Sequence, residues 1–235
     1  MKTPGNNNWY TDAADYWASV DSTVNGMLGG FEQVSEPDCR DSLKFIQSFI
    51  AAPDAPVAPA AKGPPTITPG LACDCGAGIG RVSKHFLLRV FDRVDLVEQN
   101  AQFLETARTS YMGQDLQRVE QFIPIGLQDF TPEHQRYDLI WCQWVLGHLT
   151  DEDLVKFFKR CKDGIKPGGL IGVKENVTKG GVIVDDEDSS VTRSDYILKQ
   201  IFEQAGLKLL KEATQTDFPA GLFTVKMYML KPIQS

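Results

Sequence analysis

The sequence has no long apolar run. No stretch of 18 consecutive apolar residues occurs in its 235 residues, so we expect no membrane-spanning helix and no membrane partner. The first residues, MKTPGNNNWY, are polar and do not resemble a signal peptide. Basic residues are few, since 24 Lys and Arg face 31 Asp and Glu, and the formal net charge is −7. Because nucleic-acid binding needs clustered Lys and Arg, we expect no nucleic-acid partner; a cationic small molecule or a basic peptide suits this charge better.

Cysteine and histidine are scarce as well. The five cysteines, at positions 39, 73, 75, 142 and 161, include no C-x-x-C pair, and there are three histidines, so we expect no metal site. We expect residues 73 and 75 to point to opposite faces of a strand, which would keep their thiols apart. The odd number of cysteines favours reduced thiols. We therefore predict an intracellular protein in the cytoplasm, with the nucleus as a second compartment.

Proline is concentrated in one segment. Residues 51–70, AAPDAPVAPAAKGPPTITPG, hold six of the 13 prolines. Because proline removes backbone donors, this segment is predicted to be a linker or surface loop. It separates a helical N-terminal extension, 1–50, from a core domain, 71–235. Within the extension a helix is expected from about Asp38 to Ile50.

After the proline-rich segment, strand and helix patterns alternate. Strands are predicted at 71–75, 93–98, 121–126, 137–143, 169–175, about 207–214 and about 223–231. Helices are predicted at 80–91, 101–111, 150–165 and around 198–205. The last two strands have no helix between them and should form an antiparallel hairpin. The pattern predicts an α/β fold of the Rossmann-like type, with a doubly wound, mostly parallel, seven-stranded sheet and an antiparallel C-terminal edge.

A glycine-rich turn follows the first strand. In DCGAGIGR, 74–81, the glycines are spaced G-x-G-x-G, which lets a ligand lie against backbone amides at a helix N-terminus. Glu98 ends the second strand, 22 residues after Gly76, where an acid can bind ribose hydroxyls. Leu127 and Gln128, in GLQDF after the third strand, could flank an adenine. A nicotinamide cofactor is the rival interpretation, although the G-x-G-x-x-G spacing is missing. An ordinary tight turn with an incidental acid is the remaining one.

Two further segments suggest a reaction site. WCQWVLGHL, 141–149, follows the fourth strand, and a helical exit there would place Trp144 and His148 on one face above the carboxyl edge of the sheet. Trp144 could stack on a ring or a cation, and His148 could accept a proton. Four consecutive acids, 185–188, lie in VIVDDEDSSVTRSD. They either stabilise the N-terminus of a following helix through its dipole or bind a cationic ligand.

Together these segments resemble the protein N-terminal α-N-methyltransferases, a family of class I S-adenosylmethionine-dependent enzymes. Members of that family methylate the α-amine of proteins that begin Xaa-Pro-Lys after loss of the initiator methionine. The resemblance covers nearly the whole chain except the proline-rich segment. It is carried by YWASVDSTVNGMLGG (16–30), DCGAGIGR, GLQDF, WCQWVLGHL, KEN (174–176) and DDEDSSVTRSD.

The resemblance implies a role for each candidate residue. S-adenosylmethionine, which leaves as S-adenosylhomocysteine, would be held by Gly76, Arg81, Glu98, Leu127, Gln128 and Gln143. Proton removal would fall to Asp188 and His148. On the substrate, Trp144 would contact the proline, Asn176 the backbone of the first residue, and Asp185 with Ser190 the lysine. The walls of the substrate channel, to which the 1–50 extension contributes, would be Trp17, Leu28, Gly29, Leu222 and Phe223.

Two positions depart from the family pattern, and other functions stay open. Phe223 stands where the family often has tyrosine, and Glu98 replaces a shorter Asp. The resemblance makes ribosomal proteins plausible substrates. The alternatives are a class I methyltransferase acting on a small-molecule amine or acid, a non-catalytic S-adenosylmethionine-binding subunit, and a nicotinamide-dependent oxidoreductase.

Overall fold

The structure is a computed structural model that describes residues 8–51 and 66–233. The strands are β1 Leu71–Cys75, β2 Arg93–Val97, β3 Val119–Ile123, β4 Tyr137–Gln143, β5 Ile165–Val177, β6 Val182–Asp185, β7 Ser190–Arg193, β8 Leu207–Thr214 and β9 Thr224–Pro232. The helices are α1 Trp9–Ala18, α2 Val24–Met27, α3 Ser35–Ile46, α4 Arg81–His85, α5 Ala101–Thr106, α6 Asp151–Gly164 and α7 Asp195–Gln204.

Seven strands form one sheet in the order β3-β2-β1-β4-β5-β9-β8. Strands β1 to β5 pair in parallel, whereas β9 runs antiparallel to both β5 and β8. The predicted fold class is therefore confirmed, including its antiparallel C-terminal edge. Strand β4 has the bounds predicted for it, because a central strand covered on both faces is apolar throughout, and all seven of its residues are buried.

Apolar layers cover both faces of the sheet. On one face lie Phe157 and Phe158 of α6 and Phe202 of α7, and α6 begins, as predicted, with the Thr150 side chain accepting a hydrogen bond from the Asp153 amide at 3.1 Å. On the other face Phe45 of α3 shares a core with the sheet. The N-terminal extension is thus anchored by apolar contacts next to the sheet.

Residues 52–65, most of the proline-rich segment, lie outside the described residues. The chain on either side of them is joined by a parallel bridge between Ile50 and Ile67, in which the Ala51 amide donates to the Ile67 carbonyl at 3.0 Å. The two ends of the segment are therefore neighbours.

Several element bounds differ from the prediction; the helix predicted from about Asp38 to Ile50 is α3, Ser35–Ile46, and the helix predicted at 101–111 ends at Thr106. The helix predicted at 80–91 ends at His85, because the backbone of Phe86 leaves the helical region with φ −128° and ψ −64°, and only a short 3-10 turn, Leu87–Arg89, follows. Strand β3 stops before Pro124, which has no amide hydrogen for the ladder. Strand β5 extends beyond both ends of the predicted 169–175.

The acidic run lies in a hairpin that the sequence analysis missed. Strands β6 and β7 pair antiparallel, and Asp185 faces Ser190 across the turn that holds the remaining acids. Helix α7 begins only at Asp195, where the Ser194 side chain caps it by accepting from the Ile197 amide at 3.4 Å. The four acids therefore do not form the first turn of a helix, and the helix-dipole interpretation is wrong.

The cysteine expectation is partly wrong as well. Cys73 and Cys75 are both buried, and their sulfur atoms lie 3.7 Å apart, because residues two apart in a strand share a face. All five cysteines are free. Within residues 8–51 and 66–233 no cluster of His, Cys, Asp and Glu has the arrangement of a metal site, and no helix is both long and apolar enough to cross a membrane.

Candidate active site

The carboxyl ends of β1, β2 and β4 open into one cleft. Residues of helix α1 line this cleft, and so do the segments that follow β1, β2, β3 and β4. Parallel α/β sheets bind their ligands at this edge, where neighbouring strands diverge. The cleft is lined by all six residues predicted to hold a cofactor and by three of the predicted substrate and catalytic residues: Gly76, Arg81, Glu98, Leu127, Gln128, Gln143, Trp17, Trp144 and His148.

The glycine-rich turn brings two segments of the chain into contact. Gly78 has a φ of +53°, and a Cβ there would lie 2.6 Å from the sulfur of Met27, which follows α1 in the extension. Gly76 has a φ of +74°, and its Cβ would meet the Val145 side chain at 2.5 Å. Side chains are therefore excluded at Gly76 and Gly78 both by backbone conformation and by space.

Glu98 is fixed by backbone amides. Its Oε2 accepts from the Gly78 amide at 3.0 Å, and its Oε1 accepts from the Asn100 amide at 2.8 Å. Burial raises the pKa of Glu98, and the hydrogen bonds from the two amides oppose that rise. The carboxylate is thus held at the end of β2 in one orientation, with lone pairs left for hydroxyl donors.

Arg81 and Gln143 converge on one buried acid, Asp38 of α3. Arg81 Nη1 lies 2.7 Å from Asp38 Oδ2, and Gln143 Nε2 donates to both carboxylate oxygens at 2.9 and 2.8 Å. Gln143 Oε1 also accepts from Trp141 Nε1 at 3.0 Å. Gln143 therefore lines the cleft with an amide that already has protein partners at both ends, and Asp38 is a residue that the sequence analysis missed.

The turn after β4 is not the helix that the sequence suggested. Trp144 has a φ of +53°, its amide donates to the Lys174 carbonyl at 3.0 Å, and only Leu146–His148 forms a single tight turn. Glu175 explains the departure, since its Oε1 accepts from the amides of the two residues after Trp144 at 2.9 and 2.8 Å and draws the turn onto β5. Trp144 and His148 still reach the same cleft.

The ring of His148 is hydrogen-bonded at both nitrogens. Trp17 Nε1 donates to its Nε2 at 3.0 Å, and its Nδ1 donates to the Ser189 carbonyl at 3.2 Å, which defines a neutral ring with the hydrogen on Nδ1. Burial lowers the pKa of His148, while the charge of Asp188 and the bond to Ser189 oppose the shift. The Oδ1 atom of Asp188 is buried and has no hydrogen-bond partner among the described residues.

The acidic turn lies beside helix α1. Tyr16, one residue before Trp17, has a raised pKa, first because of burial and then because of the charges of Glu187, Asp188 and Asp185. Asp185 is exposed, and its Oδ1 accepts from the Glu187 amide at 2.9 Å. The carboxylates of the turn are therefore on the same side of the molecule as the cleft.

Eight predicted site residues are not part of the cleft lining itself. Leu28 is buried and Gly29 exposed with a φ of +56°, while Phe223 is 44% exposed. Their roles, like those of the residues inside the cleft, stay predictions. The eight are Leu28, Gly29, Asn176, Asp185, Asp188, Ser190, Leu222 and Phe223.

Comparison with known proteins identifies the family. The family described as AdoMet dependent proline di-methyltransferase matches residues 5–231. The chain belongs to this family. Alpha N-terminal protein methyltransferase 1 of Dictyostelium discoideum is 49% identical over 95% of this chain and 79% of its own length. N-terminal Xaa-Pro-Lys N-methyltransferase 1 of Homo sapiens is 43% identical over 95% of each chain. A SAM-dependent methyltransferase of Leishmania major, whose structure is solved, has a TM-score of 0.83 at 39% identity and covers 95% of this chain and 83% of its own.

This family member is a methyltransferase, and its methyl donor is S-adenosylmethionine. The cleft fits that donor. Arg81 is the only Lys or Arg among the described residues that line it, and the α-carboxylate is the only anionic group of the cofactor. Glu98, fixed by two amides, can accept from ribose hydroxyls. The GLQDF segment forms part of the cleft wall and is held in place by Arg160 of α6. The Nη2 atom of Arg160 donates to the Leu127 and Gln128 carbonyls at 2.9 and 3.0 Å.

We expect Glu98→Gln to weaken binding of S-adenosylmethionine by roughly 10–100-fold, because the charged acceptor for ribose hydroxyls is lost. Isothermal titration calorimetry with the cofactor measures the effect. Glu105→Gln, an exposed acid on the neighbouring helix, is the matched control and should bind as the wild type does. An unchanged dissociation constant in Glu98→Gln would remove this residue from the cofactor site.

A second prediction concerns pH. Burial raises the pKa of Glu175 to about 7, above its value of about 4.5 in the unfolded chain, so the folded state binds the extra proton between these values. Stability therefore falls as pH rises through that window. Glu175→Gln keeps an oxygen for the two amides but cannot ionise. The free energy of unfolding of this variant, relative to that of wild type, should therefore rise by about 3 kcal/mol from pH 5 to pH 8. Urea unfolding of both proteins at the two pH values tests this; a difference that does not change with pH would contradict it.

Proposed function

We propose that this methyltransferase acts on the α-amino group of protein N-termini of the Xaa-Pro-Lys type, after removal of the initiator methionine. The observation that carries the proposal is the acidic turn beside the cleft, with one buried carboxylate oxygen, Asp188 Oδ1, that lacks a donor among the described residues. A substrate amine brings the N–H groups that this oxygen lacks. The names of the Dictyostelium and human relatives support the same acceptor.

The chemistry requires a neutral amine. When bound, S-adenosylmethionine supplies an electrophilic methyl group on a sulfonium, and the acceptor nitrogen needs a free lone pair to attack it in line. An α-amine has a pKa of about 8 and is mostly protonated at pH 7. The enzyme therefore has to remove a proton and hold the nitrogen at ~3–3.5 Å from the methyl group.

Asp188 and His148 divide this task unequally. The Nε2 lone pair of His148 accepts a hydrogen bond from Trp17, and its Nδ1–H donates to the Ser189 carbonyl. Neither nitrogen is therefore free to take a proton in this arrangement. Asp188 has the available acceptor atom. We assign proton removal to Asp188 and assign His148 to orienting the Asp188 segment through Ser189, with proton sharing once the amine displaces the Trp17 contact.

The second and third substrate residues have separate partners. The Trp144 ring lies 6.3 Å from the Phe218 ring, and these aromatic surfaces offer a flat apolar contact for a proline ring. Asp185 is exposed at the end of β6, and its Oδ1 accepts from the Glu187 amide, which leaves Oδ2 for a lysine ammonium. The permanent charge of that lysine is thereby kept apart from the amine that must lose its proton.

The proposed substrates rest on the family resemblance, and the proposed compartment rests on the free cysteines. We propose ribosomal proteins as physiological substrates, by family resemblance, and the cytoplasm as the site of action, with the nucleus as a second compartment. The five free, buried cysteines suit a reducing compartment. Imaging of the tagged protein together with N-terminal mass spectrometry of ribosomal proteins from cells that lack it would test both statements.

A peptide series tests the acceptor class. We expect methyl transfer to a Xaa-Pro-Lys peptide, and a sharply lower kcat/KM when proline is replaced by a larger or charged residue. A small amine at the same concentration should accept few methyl groups. Transfer to the small amine with none to the peptide would favour the small-molecule alternative, and binding of cofactor without any transfer would favour a non-catalytic subunit.

We expect Asp188→Asn to lower kcat by roughly 100-fold or more, because the proton acceptor is lost. Raising the pH should partly restore the rate, since the amine then arrives neutral. Asp186→Asn, in the same turn and with the same change of charge, is the control and should leave kcat near the wild-type value. A folded Asp188→Asn enzyme that is fully active at neutral pH would show that Asp188 is not the base.

Asp185→Asn should raise KM more than it lowers kcat, because its ion pair with the substrate lysine is present in the ground state and the transition state alike. The contact is exposed, so we expect about 1 kcal/mol, decreasing with added salt. Four kcat/KM values, for both enzymes with a lysine and a glutamine at position three of the peptide, form a double-mutant cycle. Independent, additive losses in that cycle would exclude the pair.

A further inference from the structure

A buried charge cluster connects the N-terminal extension to the cofactor cleft. Its centre is the carboxylate of Asp38 in α3, which is 1% exposed. Three side chains from the sheet side reach it: Arg81 at 2.7 Å, Gln143 at 2.9 and 2.8 Å, and Lys174 at 2.5 Å. Arg81 follows β1, Gln143 ends β4 and Lys174 lies in β5, so one acid from the extension contacts three parts of the carboxyl edge.

Two buried cations share the Asp38 carboxylate. Arg81, Lys174 and Asp38 are all at most 4% exposed, and they carry two positive charges against one negative charge. Lys174 has further partners, since its Nζ donates to Ser42 Oγ at 2.9 Å and to Gln215 Oε1 at 2.6 Å. Arg81 is the member of the cluster that lines the cleft, and the buried carboxylate of Asp74 is a second negative charge that acts on it.

The guanidinium of Arg81 is held from two sides. Its Nη1 donates to Asp38 Oδ2, and its Cζ lies 5.6 Å from the centre of the Trp144 ring. A planar guanidinium recognises a carboxylate through hydrogen bonds in a fixed direction, so fixing its plane before the ligand arrives favours binding. The ligand carboxylate in question is the α-carboxylate of S-adenosylmethionine.

We propose that Asp38 is a positioning residue for recognition of the cofactor carboxylate: it acts through Arg81 and makes cofactor affinity depend on docking of the N-terminal extension. This role concerns the cofactor and not the peptide, so it stands or falls separately from the proposed substrate. It also differs from a purely structural role. Loss of a purely structural contact would weaken the binding of ligands with and without the carboxylate equally.

The test compares two ligands that differ in the carboxylate. S-adenosylhomocysteine carries the amino-acid portion, whereas 5′-methylthioadenosine keeps the adenine, ribose and thioether without it. Asp38→Asn alone leaves two buried cations without the carboxylate that both of them contact and is expected to fold poorly. Asp38→Asn combined with Lys174→Met keeps the net charge of the cluster at its wild-type value and is the informative variant. Lys174→Met alone keeps the contact between Asp38 and Arg81 and is the matched control.

Calorimetry on each protein gives the ratio of the two dissociation constants. We expect the preference for S-adenosylhomocysteine over 5′-methylthioadenosine to fall roughly tenfold in the double variant and to stay near wild type in Lys174→Met. A preference that is unchanged in the double variant, or equally reduced in Lys174→Met, would overturn the proposal. Equal weakening of both ligands in the double variant would overturn it as well, because it would indicate a disturbed cleft and not a lost carboxylate contact.

Discussion

The arrangement of the cleft depends on one buried carboxylate, that of Asp38, and on the hydrogen bonds that converge there. An ion taken out of water is costly unless its partners are well placed, and here the partners come from the segments after β1, at the end of β4 and within β5. The apolar contact of Phe45 with the sheet core places α3 so that Asp38 reaches them. Helix packing, charge burial and orientation of Arg81 are therefore one linked set of interactions.

A second constraint governs the other end of the cleft, where acids and an amine have to coexist. Several carboxylates next to an ammonium would stabilise its charged form and oppose its deprotonation. The hairpin separates them: Asp185 is exposed at the end of β6, whereas Asp188 presents a buried oxygen beside His148. The left-handed backbone at Trp144 and the amides bound by Glu175 keep His148 and Trp144 on this wall without a helix.

Strands buried on both faces, such as β4, and the cofactor loops were predictable from sequence, because continuous apolar runs and glycine spacing are local signals. The β6–β7 hairpin was not, although Val182, Ile183 and Val184 are strand-forming residues, because each strand has only four residues and its partner lies beyond the acidic turn. Asp38 was missed although it had a signal: it stands four residues before Ser42 and seven before Phe45, on the buried face of α3. An acid in an apolar helical stripe implies buried partners, but the identity of Arg81, Gln143 and Lys174 as those partners needs the tertiary structure.

The methyl acceptor proposed for this enzyme is the α-amine of a protein N-terminus, and the lysine at position three serves recognition only. The most direct measurement is fragmentation mass spectrometry of a Xaa-Pro-Lys peptide after incubation with the enzyme and methyl-deuterated S-adenosylmethionine. We expect every label on the first residue's nitrogen, none on the lysine side chain, and no labelling when the α-amine is acetylated beforehand. Label on the lysine nitrogen, or labelling that survives acetylation, would exclude the α-amine as the acceptor.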